Sequence, residues 1–232
     1  MNFKIGHVTH TGIKRDHNED TYGVDDGIWL VADGMGGHDH GELASAIARD
    51  SILHHYKAGD SLKQCILKSN QIIIDSSFER GGDLPMGTTV VILTIANSKY
   101  DVAWVGDSRV YKFNDEKLTS ISTDHSYVQE LVDQNLITEE QARTHPHRNV
   151  VTQALGVTDN SEIKISLSAG EVSSGDKFLL CSDGLTEEVN DSLIEEIMSK
   201  DIHPQEMADQ LTIAALKSGG SDNITVIIVC CY

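Results

Sequence analysis

Cysteine is scarce in this 232-residue chain, acidic residues outnumber basic ones two to one, and no apolar run approaches the length of a membrane span. The four cysteines stand at 65, 181, 230 and 231. The last two are adjacent, which suits neither a disulfide framework nor a paired-knuckle zinc site, so all four are expected as reduced, buried thiols. Eighteen Lys and Arg against 36 Asp and Glu leave a formal net charge of −18. That field repels phosphate backbones and anionic lipid, which argues against nucleic acid or a membrane as partner and in favour of a counter-cation. The longest near-continuous apolar stretch, Ile224 to Cys231 with Thr225 inside it, falls far short of the roughly 20 residues a transmembrane helix needs. Met1 to His7 carry neither the apolar run nor the cleavage site of a secretory signal, so the expected location is cytoplasmic. No repeat, low-complexity tract or Gly/Ser-rich linker divides the chain. Residues 1–232 are therefore read as one domain, expected to be a monomer.

Several catalytic signatures are also missing. Neither Cys65 nor Cys181 has an arginine six residues on, where Gln71 and Glu187 stand instead, so a cysteine-nucleophile phosphatase is disfavoured. The stretch from Gly82 to Thr89 mimics a phosphate-binding loop, but Thr88 occupies the place of its lysine. No Gly-x-Ser-x-Gly and no His-Glu-x-x-His occurs.

What is present is globular: 39% hydrophobic and 23% charged residues can support a core. Apolar runs of high β-propensity recur at Phe3–Val8, Ile28–Ala32, Thr88–Ala96, Val102–Val105, Val110–Phe113, Ile163–Leu167, Lys177–Cys181 and Ile224–Cys230. Amphipathic helices are expected over Glu42–Tyr56 and Leu62–Phe78, after Asn190, and from Pro204, a residue suited to a first helical turn. Two consecutive helices follow the first strands and two precede the last. This differs from the strict alternation of a doubly wound parallel sheet, so the expected class is α+β with antiparallel sheets flanked by helices. Residues 126–149, polar and ending in Thr144-His145-Pro146-His147-Arg148-Asn149, are expected as a surface insertion.

The chemistry-bearing pattern is a recurrence. Ile28–Ala32 runs into Asp33-Gly34, Phe178–Cys181 into Ser182-Asp183-Gly184, and Val102–Val105 into Gly106-Asp107, while Asp222-Asn223 stands directly before Ile224. Any one Asp-Gly after a strand is an ordinary turn signal. Four strand-end aspartates together can instead present carboxylates rigidly to a common ligand. Converging carboxylates raise one another's pKa unless a cation neutralises them, and an all-oxygen ligand set favours Mg²⁺ or Mn²⁺ over zinc. His38-Asp39-His40 is the one nitrogen-rich alternative. Near the N-terminus, Arg15 precedes Glu19 and Asp20 by four and five residues, a fork for a phosphate beside acids that can hold metal-bound water.

Taken in order, Arg15 with Glu19-Asp20, Val31 to His38, Met86-Gly87-Thr88-Thr89, Val105-Gly106-Asp107-Ser108-Arg109, Leu180 to Leu185 and Asp222-Asn223 resemble the metal-dependent Ser/Thr protein phosphatases of the protein phosphatase 2C type, in a bacterial variant. The resemblance covers nearly the whole chain. It implies a four-layer α-β-β-α sandwich of two antiparallel sheets, with the insertion at about 126–149 as the family's flap, which borders the active site. By the same resemblance Asp33 would bridge two tightly bound Mn²⁺ or Mg²⁺ ions, with the Gly34 carbonyl on one and Asp183 and Asp222 on the other. Glu19 and Asp20 would act mostly through water, and Asp107 with Asp183 would help hold a third, weaker ion. Arg15 would grip the phosphoryl group. The implied reaction is hydrolysis of phosphoserine and phosphothreonine in proteins by a metal-activated water, opposing a Ser/Thr kinase. One departure stands out: Met35 follows the Asp-Gly where some relatives carry a histidine proposed as general acid. The leaving-group proton is then left to water or to His38, His145 or His147. A catalytically silent phosphopeptide-binding module and a two-metal nuclease are the competing readings, the second disfavoured by the net charge.

Overall fold

The computed structural model describes residues 1–36, 40–79 and 86–232. Its strands are β1 (Phe3–His10), β2 (Asp20–Asp25), β3 (Ile28–Met35), β4 (Gly87–Thr88), β5 (Val90–Ala96), β6 (Lys99–Val105), β7 (Arg109–Asn114), β8 (Lys117–Ser120), β9 (Ser166–Glu171), β10 (Lys177–Cys181) and β11 (Ile224–Cys231). The helices are α1 (His40–Lys57), α2 (Leu62–Glu79), α3 (Tyr127–Asp133), α4 (Glu139–Arg143), α5 (Asp183–Thr186), α6 (Asp191–Ser199) and α7 (Pro204–Ser218). One sheet has the order β1-β11-β10-β7-β8, the other β2-β3-β5-β6-β9 with β4 paired to β3, and every pairing is antiparallel.

Three separate apolar layers make this the expected four-layer α+β sandwich. Between the sheets Trp29, Val31, Val91 and Leu93 meet Phe178, Leu180, Ile227 and Val229. Outside one sheet Ile194, Met207 and Leu211 of α6 and α7 cover Leu179, Val226 and Ile228, and outside the other Ala44, Ala48, Ile52 and Ile66 of α1 and α2 cover Leu30 and Ile92. β11 is buried at all eight residues because it lies mid-sheet with an apolar layer on each face, which is why it reads as a continuous hydrophobic run rather than an alternating one. The helix starts follow local chemistry. The Asn190 side chain accepts from the Leu193 amide before α6, and Pro204 opens α7.

Two sequence expectations are corrected. The single strand over Thr88–Ala96 is two, β4 and β5, because Thr89 leaves the ladder to bond the Asp33 backbone. The strand at Ile163–Leu167 is displaced to β9, since Ile163 and Ile165 are plugs packed on the α1/α2 side of the core, and alternation begins only at Ser166. Residues 126–149, read from the sequence as a surface insertion, carry α3 and α4, each started by a hydroxyl cap at Ser126 and Thr138.

Trp29 is 1% exposed and its indole N–H finds no hydrogen-bond partner. Trp29→Phe sheds that orphan donor while keeping a ring against the edge of Phe3, so it is expected to cost less than about 1 kcal/mol in urea unfolding, where truncation of a buried Trp costs roughly 3–5.

Candidate metal and phosphate site

The site begins with register. β2 starts at Asp20, directly opposite Asp33 on β3, which sets two carboxylate-bearing residues side by side. β3 pairs with β5 only as far as Val31, and beyond it the strand turns to pair with β4. Asp33 sits at this parting and is held there by three threonine contacts. Its N–H donates to Thr89 Oγ1 (3.2 Å), and its carbonyl accepts from Thr88 Oγ1 and from the Thr89 N–H (2.8 Å each). The Thr-Thr pair is thus part of the site, a role that its sequence does not disclose.

Asp107 follows the end of β6, Asp183 is the first residue of α5, and Asp222 precedes β11. The glycines of the two Asp-Gly pairs are demanded by close approach. A Cβ at Gly34 would collide with the Gly41 carbonyl, and one at Gly184 with the Asn223 carbonyl. Arg15 and Glu19 are carried by the loop that crosses from β1 in one sheet to β2 in the other.

Of the expected set, Arg15, Glu19, Asp33, Gly34, Asp107, Asp183 and Asp222 line one cavity of about 280 Å³. Asp20 lies behind it, 6% exposed, with Oδ2 accepting from Ser182 Oγ (2.7 Å). Asn149 and Val151 complete the rim, so the end of the insertion reaches the cavity. A second cavity of about 380 Å³, roofed by α3 and α4, shares Asp107 and Asp183 with the first. Arg15 is not free in the cleft: its Nη2 donates to Asp222 Oδ2 at 2.6 Å. Arg109 grips Asp124 through two bonds of 2.8 and 2.7 Å and donates to the Tyr111 hydroxyl, so it braces β7 and lines the 380 Å³ cavity rather than the 280 Å³ one. His145, His147 and Tyr127 cluster on the insertion in tilted and edge-on contacts, ring centroids 5.7–6.0 Å apart, and no histidine among the described residues lines the 280 Å³ cavity. His38 and Asp39 of the nitrogen-rich alternative lie outside the described residues, as do Gly82 to Pro85 of the loop mimic.

The electrostatics are those of uncompensated negative charge. Burial, then the neighbouring Asp20, Asp183 and Asp107, holds the Asp33 carboxyl well above the usual range, and burial with Asp183 does the same to Asp107. Burial lifts Asp20 to about 7, and burial with Asp222 lifts Asp183 to about 6. Asp20 Oδ1 and Asp183 Oδ1 are buried with no hydrogen-bond partner. Acceptor oxygens without donors, in a nest of like charge, fit a cation. No three His, Cys, Asp or Glu side chains among the described residues form a ready ligand cage, and Asp222 is engaged by Arg15. Hard divalent ions suit such a sparse set, because carbonyl oxygen and water complete their shells.

The sequence profile of protein phosphatase 2C matches residues 12–214. The chain belongs to this family. The Listeria monocytogenes serine/threonine phosphatase stp is 36% identical over 239 residues, covering 95% of this chain and 93% of its own length. The Mycobacterium tuberculosis serine/threonine protein phosphatase PstP is 35% identical over 224 residues, and this chain spans 43% of the length of that relative. The crystal structure of the M. tuberculosis phosphatase superposes with a TM-score of 0.90 at 33% identity, covering 99% of this chain and 98% of that one. The PstP catalytic domain solved with two manganese ions gives 0.87 at 33% identity, covering 98% and 97%. The family's sandwich and this chain's are the same fold.

Proposed function

We propose that the chain hydrolyses phosphoserine and phosphothreonine in proteins with the help of two divalent cations. The observation that carries this reading is the convergence of Asp33, Asp183 and Asp222, from three distant parts of the sequence, on one cleft beside Arg15. Asp33, the Gly34 carbonyl, Asp183 and Asp222 would hold these ions between them. Glu19 and Asp20 would contribute through water, and Asp107 with Asp183 would offer a weaker further position. When bound, the ions acidify water and screen the charge of the phosphoryl group. Mn²⁺ is the favoured cation by relation to the manganese-containing PstP structure, with Mg²⁺ an equally hard alternative.

Arg15 supplies the phosphate fork. Its guanidinium is half-exposed at the cleft and directs two or more N–H groups at an oxyanion once it leaves Asp222. Met35 offers no proton and neither His145 nor His147 lines the cavity, so the proton for the departing serine or threonine oxygen is assigned to water or to His38, which lies outside the described residues. The second, larger cavity beneath α3 and α4, which shares Asp107 and Asp183 with the first, gives the substrate polypeptide room. We place the protein in the cytoplasm as a monomer opposing a Ser/Thr kinase. No helix among the described residues is long and apolar enough to cross a membrane.

The test is hydrolysis of an aryl phosphate and a phosphothreonine peptide with Mn²⁺ and after chelation. Turnover is expected only with the ion, and activity that survives its removal overturns the reading.

A further inference from the structure

Asn223 is 4% exposed and uses its whole amide. Oδ1 accepts from the Glu19 N–H (2.8 Å), and Nδ2 donates to the Thr11 and His17 carbonyls (2.8 Å each), residues 212 and 206 positions away. All three partners are main-chain groups of the segment that carries Arg15 and Glu19. The segment is also tied by Ile13 N–H to the Gly220 carbonyl (2.7 Å), so it lies along residues 220–223. Only a carboxamide satisfies this arrangement. A carboxylate would face two carbonyls with no proton to give, and the reversed amide would set its NH₂ against the Glu19 N–H.

We propose that Asn223 is a positioning residue of this active site: it fixes the Arg15 loop to the segment just before β11 that carries Asp222, and so sets the phosphate-binding guanidinium against the metal-binding carboxylates. The kinetic consequence rests on the phosphatase reading above, whereas the clamp itself does not. Asn223 touches no reacting atom. It acts mainly through Arg15, which stands between two of the clamped carbonyls, and most of the effect of its loss is therefore expected to vanish where Arg15 is already gone.

Two measurements test this. The first is amide hydrogen exchange of the metal-free protein, read at Ile13, whose bond to Gly220 does not involve Asn223. In Asn223→Ala, and in Asn223→Asp, which keeps the Glu19 acceptor, exchange at Ile13 is expected to rise about tenfold while Leu180, Ile227 and Val229 stay protected as in the parent. Unchanged exchange at Ile13, or equal loss of protection in β10 and β11, overturns the clamp. The second is a double-mutant cycle on an aryl phosphate with Mn²⁺. Asn223→Ala is expected to lower kcat/KM about 100-fold in the parent and less than about threefold in Arg15→Ala. Equal losses in both backgrounds overturn the coupling to Arg15. If the parent itself shows no metal-dependent turnover, the phosphatase reading falls and the exchange at Ile13 alone decides the clamp.

Discussion

Asp33→Asn is expected to remove turnover and to make the metal-free protein harder to melt. Asp33 faces Asp20 across β2 and β3 and feels Asp183 and Asp107 as well, so its charge meets three like charges. The amide keeps the shape but supplies neither the negative charge nor the second oxygen that two cations need. A loss of at least about 1,000-fold in kcat/KM is expected, or ~4 kcal/mol at 1.36 kcal/mol per decade. The same change relieves repulsion when no ion is present. A gain of about 1 kcal/mol would raise the melting temperature by roughly 2–4 °C in a chain of this size. Calorimetry in chelator and steady-state kinetics in Mn²⁺ check the two halves. A variant that keeps a tenth of the parent's turnover, or melts lower than the parent in chelator, contradicts the account.

Chelated protein should lose stability as the pH rises from about 4 to above 7. Asp20 at about 7 and Asp183 at about 6, with Asp33 and Asp107 also raised, retain protons in the folded state that the unfolded chain has already released near the ordinary carboxylate value. The folded state thus binds more protons throughout that window, which makes the slope of stability against pH negative. His125 opposes this. Burial lowers it to about 4, with its ring nitrogens engaged by the Gly106 N–H and the Ser166 hydroxyl, so it favours the folded state increasingly as pH rises from about 4 to its unfolded value of roughly 6.5. One histidine stands against six raised carboxyls, since burial also raises Glu19 and lifts Glu187 to about 7, and above about pH 6.5 it adds nothing further to the slope. At roughly 1.36 kcal/mol per pKa unit per group, the net fall should amount to several kcal/mol. Mn²⁺ replaces the retained protons and should flatten the curve. Melting temperatures that stay level or climb between pH 5 and 8 in chelator would refute this.

The legible part of the fold was the part written in long apolar runs. Ile28–Ala32, Lys177–Cys181 and Ile224–Cys230 are strands because each lies inside a sheet covered on both faces. β2 and β8 were not legible. Asp20–Asp25 carries two carboxylates and a glycine in six residues, Lys117–Ser120 is four mostly exposed residues, and both are strands because a neighbour holds them there. The site divides in the same way. The acidic residues could be read because each interrupts an apolar run at its end. That Asp20 faces Asp33, that Thr89 holds the Asp33 amide, that Ser182 caps Asp20 and that Arg15 rests on Asp222 are facts of register and of bonds between segments up to 207 positions apart. No local pattern encodes them.

The place of β11 between β1 and β10 has a consequence for synthesis. β1 has a single neighbour, and Phe3 must wait for Cys231 and His10 for Ile224. At ribosomal speeds of 5–20 residues per second, the first strand emerges roughly 10–45 s before its partner exists. Through that interval the nascent polypeptide lacks Asp222 and Asn223, so the cleft cannot close around Asp33 before the segment leading into β11 is made.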